Sequence, residues 1–246
     1  EEGTKLVDHY TYVLATDGDL QEPVALGAAA IAGHLGLKKL VVYYDANDAQ
    51  ISGKVSRSDS VDYATVFDGL GWNVQTIDGH DHSAMHFAIE TAKVMDKPSI
   101  IIGNTVMAKG SVNMEEDHNT HGAPLPQDEI DLTKEKLGLP IKKFYVPTEV
   151  IDHFRMRFDD LSDEAGKWLE KYDKAEKNSS LKNIIANTIA GKITSEFKDP
   201  DFNAGDTLAT RKAFGAVLDS IADSMPQLVG GSADLEPSNY TGNFAK

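Results

Sequence analysis

The sequence predicts an α/β fold in which a doubly wound parallel sheet carries helices on both faces. Short apolar runs alternate with stretches that repeat apolar residues at helical spacing, as expected when a crossover helix follows each strand. The predicted strands cover residues 10–16, 40–44, 73–77 and 99–105. The first of them has no polar alternation, which indicates a strand buried on both faces.

Helical patterns separate these strands at residues 22–35, 62–70 and 81–95. In the first pattern, Pro23 near the first turn and Gly36 after the last turn match common start and stop signals. The third pattern repeats apolar residues at i, i+3, i+4, i+7 and i+10, which places them on one face. These residues are Met85, Ala88, Ile89, Ala92 and Met95.

The remainder of the chain is less regular. Residues 107–127 form a long polar segment without periodicity, and such segments in compact α/β domains are more often functional than idle. Residues 128–197 are helical and heavily charged, with a break expected at Ser179-Ser180. A helix over 207–224 and an apolar strand over 227–229 then indicate the start of a second α/β domain.

Composition excludes several classes of protein. The chain has 24 Lys and Arg against 39 Asp and Glu, a net charge of -15, which is the wrong sign for binding nucleic acid. The absence of cysteine excludes disulfides, thiolate zinc sites and a cysteine nucleophile. The most apolar stretch, residues 24–37, is interrupted by glycines and is too short to span a bilayer. We therefore expect a soluble, cytoplasmic protein that binds neither nucleic acid nor membrane.

Two polar residues follow neighbouring predicted strands. Asp17 comes after the first strand and Asn47 after the second, and the carboxyl ends of parallel strands share the crevice in which ligands bind. A carboxylate, an amide oxygen and a nearby backbone carbonyl are suitable hard ligands for Mg²⁺. Gly18 allows close approach to a phosphate, and the helix that starts near Glu22 directs free N–H groups to the same place. The alternative is that Asp17-Gly18-Asp19 is only a turn and helix cap, and that Asn47 merely ends a strand.

Three separate segments resemble the transketolase family in the family's order. The run Asp17-Gly18-Asp19-Leu20-Gln21-Glu22, with residues 30–37 and 44–47, is similar to the thiamine-diphosphate signature in its transketolase form. Residues 121–125 resemble a later family segment, and residues 209–212 through 230–239 resemble another. On this resemblance, residues 1–180 are the C-terminal part of the diphosphate-binding domain with peripheral helices. Residues 181–246 are then the linker and the start of the pyrimidine-binding domain.

The resemblance implies a set of cofactor and metal residues. The side chains of Asp17 and Asn47 and the backbone carbonyl of Ala49 would hold Mg²⁺, with Ca²⁺ as a substitute. Gly18 would contact the diphosphate of thiamine diphosphate, which Asn47 also helps to bind. His121 would lie over the diphosphate and the substrate entrance and serve as the catalytic residue of this chain.

Four further roles follow from the same resemblance. Arg211 and Ser238 match residues that hold the sugar phosphate, and Asp234 matches a residue near the cofactor at the subunit interface. Glu22 matches a carboxylate that links the two cofactor sites across the dimer. Thr16 and Pro23 depart from the family pattern, which has Gly at both positions.

The family reaction moves a two-carbon ketol unit between sugar phosphates. The family's earlier portion and most of its pyrimidine-binding domain have no counterpart in this chain, so we expect a homodimer or these segments in trans, and no activity from the chain alone. One alternative is a related ketol transferase such as dihydroxyacetone synthase, and the other is a non-catalytic domain that binds the cofactor or a partner. An acceptor assay distinguishes the related ketol transferase from a transketolase. Cofactor titration distinguishes the non-catalytic domain from both enzymes.

Overall fold

A computed structural model describes residues 5–177, 179–191, 198–222, 225, 228–232 and 234–242 of the chain. The chain divides into two compact units. One is Val7–Arg155, and the other combines Glu1–Leu6 with Met156–Lys246. The predicted boundary between residues 180 and 181 concerns functional domains rather than compact units, and it stays a prediction.

The first unit is built around a parallel sheet. Its strands are β1 (Thr11–Thr16), β2 (Leu40–Ala46), β3 (Ala49–Gln50), β4 (Gly53–Lys54), β5 (Asn73–Asp78) and β6 (Ser99–Asn104). Four of these strands form one sheet in the order β1-β2-β6-β5, and every pairing in it is parallel. The other two form a short antiparallel hairpin, which the sequence analysis did not anticipate.

The helices that lie within the first unit are α1 (Asp17–Leu20), α2 (Pro23–His34), α3 (Tyr63–Gly69), α4 (His82–Val94) and α5 (Gln127–Lys136). The helices α2, α3 and α4 begin and end within one residue of their predicted limits, whereas α1 was not predicted. The predicted first residues of α3 and α4 are their N-caps, because Asp62 accepts a hydrogen bond from the Thr65 N–H and Asp81 accepts one from the Ser83 N–H. Up to the start of α5 at Gln127, the predicted irregular segment 107–127 contains only one short 3₁₀ turn, His118–Thr120, so the prediction is confirmed.

Helices cover both faces of the sheet, as predicted. The chain advances from β1 to β2 through α2 and on to β5 through α3, and then α4 returns it to β6 in the middle. Because crossovers are right-handed, a reversal of direction places the returning helix on the opposite face. One core accordingly joins α2 and α3 to the sheet through Ala29, Ala32, Phe67, Trp72 and Ile100. The other joins α4 to the sheet through Val41, Ala88, Ala92 and Ile101.

The first strand differs from its prediction. Within β1 only Ala15 is buried, and Leu14 is 84% exposed. The strand lies at the edge of the sheet and pairs only with β2 among the described strands. The prediction that it is buried on both faces is therefore wrong for this chain. Apolar residues make a strand suitable for burial. The strand is buried only if another strand or helix packs against it.

The regular secondary structure that is described in the second unit is helical. The helix α6 (Thr148–Glu176) crosses the division between the units and is followed by α7 (Ser179–Ala190), α8 (Thr210–Ala222) and α9 (Glu236–Asn239). The break predicted at Ser179-Ser180 falls where α7 begins. Of the predicted strand over 227–229, residue 227 lies outside the described residues and Leu228 and Val229 are not in a strand. Within the described ranges, no helix is long and apolar enough to cross a membrane.

Candidate functional site

The carboxyl ends of β1 and β2 bring Gly18, Asn47 and Ala49 of the predicted site together. In the sheet register Thr16 lies beside Asp45, so the residues that follow β1 and β2 leave the sheet side by side. A cavity of about 350 Å³ lies at this edge. It is lined by Thr16, Gly18, Asp19, Asn47, Ala49, Gln50, Ile51, Ser52 and His121.

Asp17 is the most deeply buried of the predicted metal ligands. It is 3% exposed, and its Oδ1 accepts a hydrogen bond of 2.5 Å from the Tyr44 hydroxyl. Its Oδ2 is also buried and accepts no hydrogen bond from any residue that the structure describes. Burial raises the pKa of this carboxyl most; the hydrogen bond from Tyr44 and the nearby Asn47 N–H lower it, and the charges of Asp45 and Asp48 raise it. A cation at Oδ2 would satisfy an oxygen that otherwise costs about 1–3 kcal/mol to leave without a partner.

Asn47 is held in one orientation by its neighbours. Its Nδ2 donates to Asp45 Oδ2 at 2.9 Å, and its Oδ1 accepts from the Ala49 N–H at 2.9 Å. Because a carboxylate only accepts, this network fixes which end of the amide carries the oxygen. The other oxygen of Asp45 accepts from the Thr105 hydroxyl, just beyond β6. The amide oxygen keeps a second lone pair, so it can also bind a cation.

The hairpin after β2 positions Ala49. Asp48 adopts a left-handed backbone conformation with φ of 54°, which turns the chain from β2 into β3. The Asp48 carboxylate pairs with the Lys54 ammonium at 3.4 Å across the hairpin. Ala49 is 8% exposed and lines the cavity with Asn47, while Ile51 at the hairpin tip is 80% exposed. The third predicted ligand thus lies beside the second.

The hydrogen bonds of the segment after β1 distinguish the two interpretations of its acidic residues, a metal site and a helix cap. Asp19 Oδ2 accepts from the Thr16 N–H at 2.8 Å and from the Thr16 hydroxyl at 2.9 Å, so Asp19 serves as a local cap. Asp17 takes no part in this cap. A Cβ on Gly18 would meet no atom within 4 Å, so open space adjoins the backbone there. These residues therefore fit a site for a cation and a diphosphate, in which Asp17 rather than Asp19 would be the carboxylate ligand.

His121 is exposed on the cavity wall, directly after the 3₁₀ turn of the long loop. The loop is fastened by Glu129, which the sequence analysis did not single out. Glu129 is 5% exposed, and its carboxylate accepts from the N–H groups of Val112 and Asn113 at 2.7 and 2.8 Å and from Asn113 Nδ2 at 2.8 Å. The hydrogen bonds from Asn113 hold the pKa of Glu129 below its usual value.

The remaining predicted residues do not line this cavity. Glu22 is exposed and is the N-cap residue of α2, without a side-chain hydrogen bond to the helix. Arg211, Asp234 and Ser238 are exposed and lie in the second unit. Within that unit α9 packs on α8, because a Cβ on Gly215 would lie 2.4 Å from the Cβ of Tyr240.

Sequence reasoning gave no role to four residues that shape the site. They are Tyr44, Asp45, Thr105 and Glu129. Tyr44 belongs to a segment that carries the family resemblance. A tyrosine within a buried strand needs a hydrogen-bond partner for its hydroxyl, so the sequence could have predicted a polar contact for Tyr44. The partner of Thr105 lies on another strand, and nothing in the sequence indicates that pairing.

The fold and the site together define an α/β protein with a candidate cation and diphosphate site at the carboxyl edge of its sheet. A family model described as "Transketolase, thiamine diphosphate binding domain" matches residues 1–194. The chain belongs to the transketolase family, as the resemblance of its motifs predicted.

Named relatives and solved structures agree with this assignment. The chain is 40% identical to a transketolase of Staphylococcus aureus, over 97% of this chain and 37% of the relative, and 38% identical to one of Geobacillus stearothermophilus, over 99% and 38%. The solved transketolase of Leishmania mexicana matches 98% of this chain with a TM-score of 0.89 and 34% identity, and that of Campylobacter jejuni matches 96% with a TM-score of 0.81 and 34% identity. The match covers 37% of each solved chain, so this chain spans little more than a third of the length of these relatives.

Proposed function

We propose that this chain supplies the Mg²⁺ and diphosphate site of a transketolase-type enzyme, which transfers a two-carbon ketol unit between sugar phosphates. The observation that carries the proposal is the carboxylate of Asp17. Its Oδ2 is buried without a hydrogen bond from the described residues, and it lies where β1 ends beside the cavity lined by Asn47 and Ala49. A buried carboxylate oxygen in this position is explained by a bound cation.

The residues at the strand ends have separable tasks in this proposal. Asp17 supplies the charged ligand, and Asn47 Oδ1 and the Ala49 carbonyl supply neutral oxygens, a set that suits Mg²⁺ completed by phosphate oxygens and water. The backbone at Gly18 leaves room for the diphosphate. Thiamine diphosphate, when bound, supplies the nucleophilic carbon and the electron sink for the transfer. The protein's contribution is to orient it.

The other proposed roles concern the substrate and the assembly. His121 lies on the wall of the cavity, where its ring nitrogens can orient the substrate or carry a proton. Arg211 and Ser238 bind the phosphate of the sugar, through charged hydrogen bonds in the case of Arg211. Asp234 and Glu22 lie at the interface of a homodimer. Because the chain spans 37% of its relatives, the remaining groups come from other parts of the enzyme.

Thermal denaturation of the complete enzyme that contains this chain tests the site. Thiamine diphosphate with Mg²⁺ is expected to stabilise the protein by about 2.7 kcal/mol at a hundredfold excess over the dissociation constant. Either component alone is expected to stabilise the protein much less, because the diphosphate supplies oxygens that complete the coordination of Mg²⁺ and Mg²⁺ joins the diphosphate to the protein. A melting temperature that the two together leave unmoved would contradict the proposal. An acceptor assay on the same material then distinguishes ketol transfer between sugar phosphates from other ketol transfers.

A further inference from the structure

The side-chain amide of Asn47 has two unlike ends, and only its oxygen can bind a cation. The NH₂ end carries two donors and no acceptor. In the structure Nδ2 donates to Asp45 Oδ2 at 2.9 Å, and Oδ1 accepts from the Ala49 N–H at 2.9 Å and keeps a second lone pair. A carboxylate can only accept, so Asp45 selects the orientation in which the oxygen of Asn47 is left for a ligand.

Asp45 is itself held by a residue that follows another strand. Its Oδ1 accepts a hydrogen bond from the hydroxyl of Thr105, directly after β6. One oxygen of the carboxylate is thus bound to Thr105 and the other to Asn47, which leaves the group little freedom to rotate. Neither Asp45 nor Thr105 is among the described residues that line the cavity beside Gly18.

Backbone contacts on two sides fix the side chain of Thr105. Its N–H donates to the Ala46 carbonyl at 3.2 Å, which extends the pairing of β2 and β6 by one residue beyond the sheet. The turn after β5 lies against its methyl group, because a Cβ on Gly79 would come within 2.4 Å of Thr105 Cγ2. A β-branched side chain has few rotamers to begin with. The hydroxyl is therefore kept on Asp45.

We propose that Asp45 and Thr105 are positioning residues that hold the Asn47 amide with its oxygen available to the cation. The inference rests on the proposed function, because Asn47 is a cation ligand there. Asp45 acts through Asn47, and Thr105 acts through Asp45. Partners that orient metal ligands typically change metal affinity about 10–100-fold when they are removed. An uncharged residue after β6 thereby contributes to the affinity of a site formed after β1 and β2.

Two substitutions of Thr105 test the relay without changing any charge. The dissociation constant of Mg²⁺ is measured by calorimetry on the complete enzyme, with thiamine diphosphate in excess, for the wild type, Thr105→Val and Thr105→Ser. Valine keeps the shape of the side chain but loses the hydroxyl, and this variant is expected to bind Mg²⁺ up to about tenfold more weakly. Serine keeps the hydroxyl and is expected to keep most of the affinity. Equal affinities in the two variants would overturn the inference, because the hydroxyl would then have no effect.

A second pair of variants separates orientation from charge. The charges of Asp45 and Asp48 both raise the pKa of Asp17, so removal of either one changes the field at the site. Asp48 pairs with Lys54 at 3.4 Å, whereas Asp45 accepts from Asn47. Asp45→Ala is expected to weaken Mg²⁺ about 10–100-fold, and Asp48→Asn clearly less. Equal losses would show that Asp45 acts by its charge alone, which contradicts the inference and leaves the proposed function standing. A wild type that does not bind Mg²⁺ with thiamine diphosphate would overturn both.

A crystal structure of the wild-type enzyme with thiamine diphosphate and Mg²⁺ needs no variant, so it does not depend on how a substituted protein folds. Asn47 is expected to bind the cation through Oδ1 while Nδ2 keeps its hydrogen bond to Asp45 and Thr105 still donates to Asp45. An Asn47 that binds the cation without a hydrogen bond to Asp45, or a Thr105 hydroxyl that donates elsewhere, would refute the positioning role.

Discussion

The two compact units hold their candidate site residues in different ways. In the unit Val7–Arg155, Asp17 accepts a hydrogen bond from Tyr44, and Asn47 donates one to Asp45 and accepts one from the Ala49 N–H. In the other unit the side chain of Arg211 is exposed and makes no hydrogen bond or ion pair with the residues that the structure describes.

The difference matches the two ligands that we propose for these residues, a cation in the first unit and a sugar phosphate in the second. A small hard cation requires oxygens within a few tenths of an ångström of their positions, so its site is ordered before the ligand arrives. A sugar phosphate is larger and more tolerant, and a long guanidinium can reach it with parallel charged hydrogen bonds. We therefore expect substitutions in the first unit to act on cofactor binding and those in the second to act on substrate binding.

The strongest expected effect is that of Asp17→Ala. The substitution removes the only charged ligand proposed for the cation, so the stabilisation of about 2.7 kcal/mol by thiamine diphosphate with Mg²⁺ is expected to disappear. Asp19→Ala is the matched control, since the Asp19 carboxylate accepts from Thr16 and from no other residue that the structure describes, and this variant is expected to keep most of the stabilisation. Thermal denaturation with and without the ligands measures both. Equal losses in the two variants would show that the wrong carboxylate has been chosen.

Arg211→Ala tests the candidate site residues of the second unit. Loss of charged hydrogen bonds to a phosphate costs about 1.5–3 kcal/mol, which corresponds to a rise in KM of roughly tenfold to a hundredfold for phosphorylated sugars. Cofactor affinity and KM for unphosphorylated acceptors are expected to change little. Lys212→Ala removes a neighbouring exposed cation of the same helix and serves as the control. A similar rise in KM for both kinds of acceptor would remove Arg211 from the phosphate site.

The sequence was most informative where one segment determines its own structure. The helices α2, α3 and α4 were predicted to within a residue or two, because apolar spacing, Pro23 and the capping residues Asp62 and Asp81 are local signals. The position of Asp17 and Asn47 at one edge followed from the parallel order of their strands.

Other features depend on which segments meet, and local patterns do not carry that information. The apolar character of β1 did not reveal that it lies at the edge of the sheet. The bond between Asp45 and Thr105 joins β2 to the residue after β6, and the bonds from Asn113 to Glu129 join a loop to a helix. Thr16 departs from the family pattern, and only the structure shows that its hydroxyl donates to Asp19.

Gly215→Ala probes how α9 is held in the second unit. The new Cβ would come within 2.4 Å of the Cβ of Tyr240, so α9 must shift and carry Ser238 with it. Overpacking of this kind costs about 1–3 kcal/mol, more than the helix propensity gained from alanine. Gly166→Ala in α6 is the control, because nothing lies within 4 Å of its Cβ, and it is expected to stabilise by up to about 1 kcal/mol. If denaturant unfolding shows both variants stabilised alike, the packing of α9 on α8 is not as described.

The smallest effect is expected from Glu129→Gln, which tests whether the loop that carries His121 is as firmly held as the strand ends. The substitution keeps the shape of the side chain but replaces one accepting oxygen with an NH₂ group, which cannot accept from Asn113. We expect the backbone amides of Val112 and Asn113 to lose protection in hydrogen exchange. Glu116→Gln changes the same charge at an exposed position of the same loop and is expected to leave protection unchanged.

The pH dependence of this protection shows whether the loop is held by hydrogen bonds to the Glu129 carboxylate or by packing alone. Hydrogen bonds from Asn113 lower the pKa of Glu129 from its ordinary value of 4.5. A carboxyl whose pKa is lower in the folded state stabilises that state fully above its ordinary pKa and loses the contribution as the pH falls through the lowered value. Protection of Val112 and Asn113 in the wild type is therefore expected to hold above pH 4.5 and to decline below it, while in Glu129→Gln it is low throughout. Wild-type protection that is insensitive to acid in this range would show that the loop is held by its packing, and Glu129 would then have no part in positioning His121.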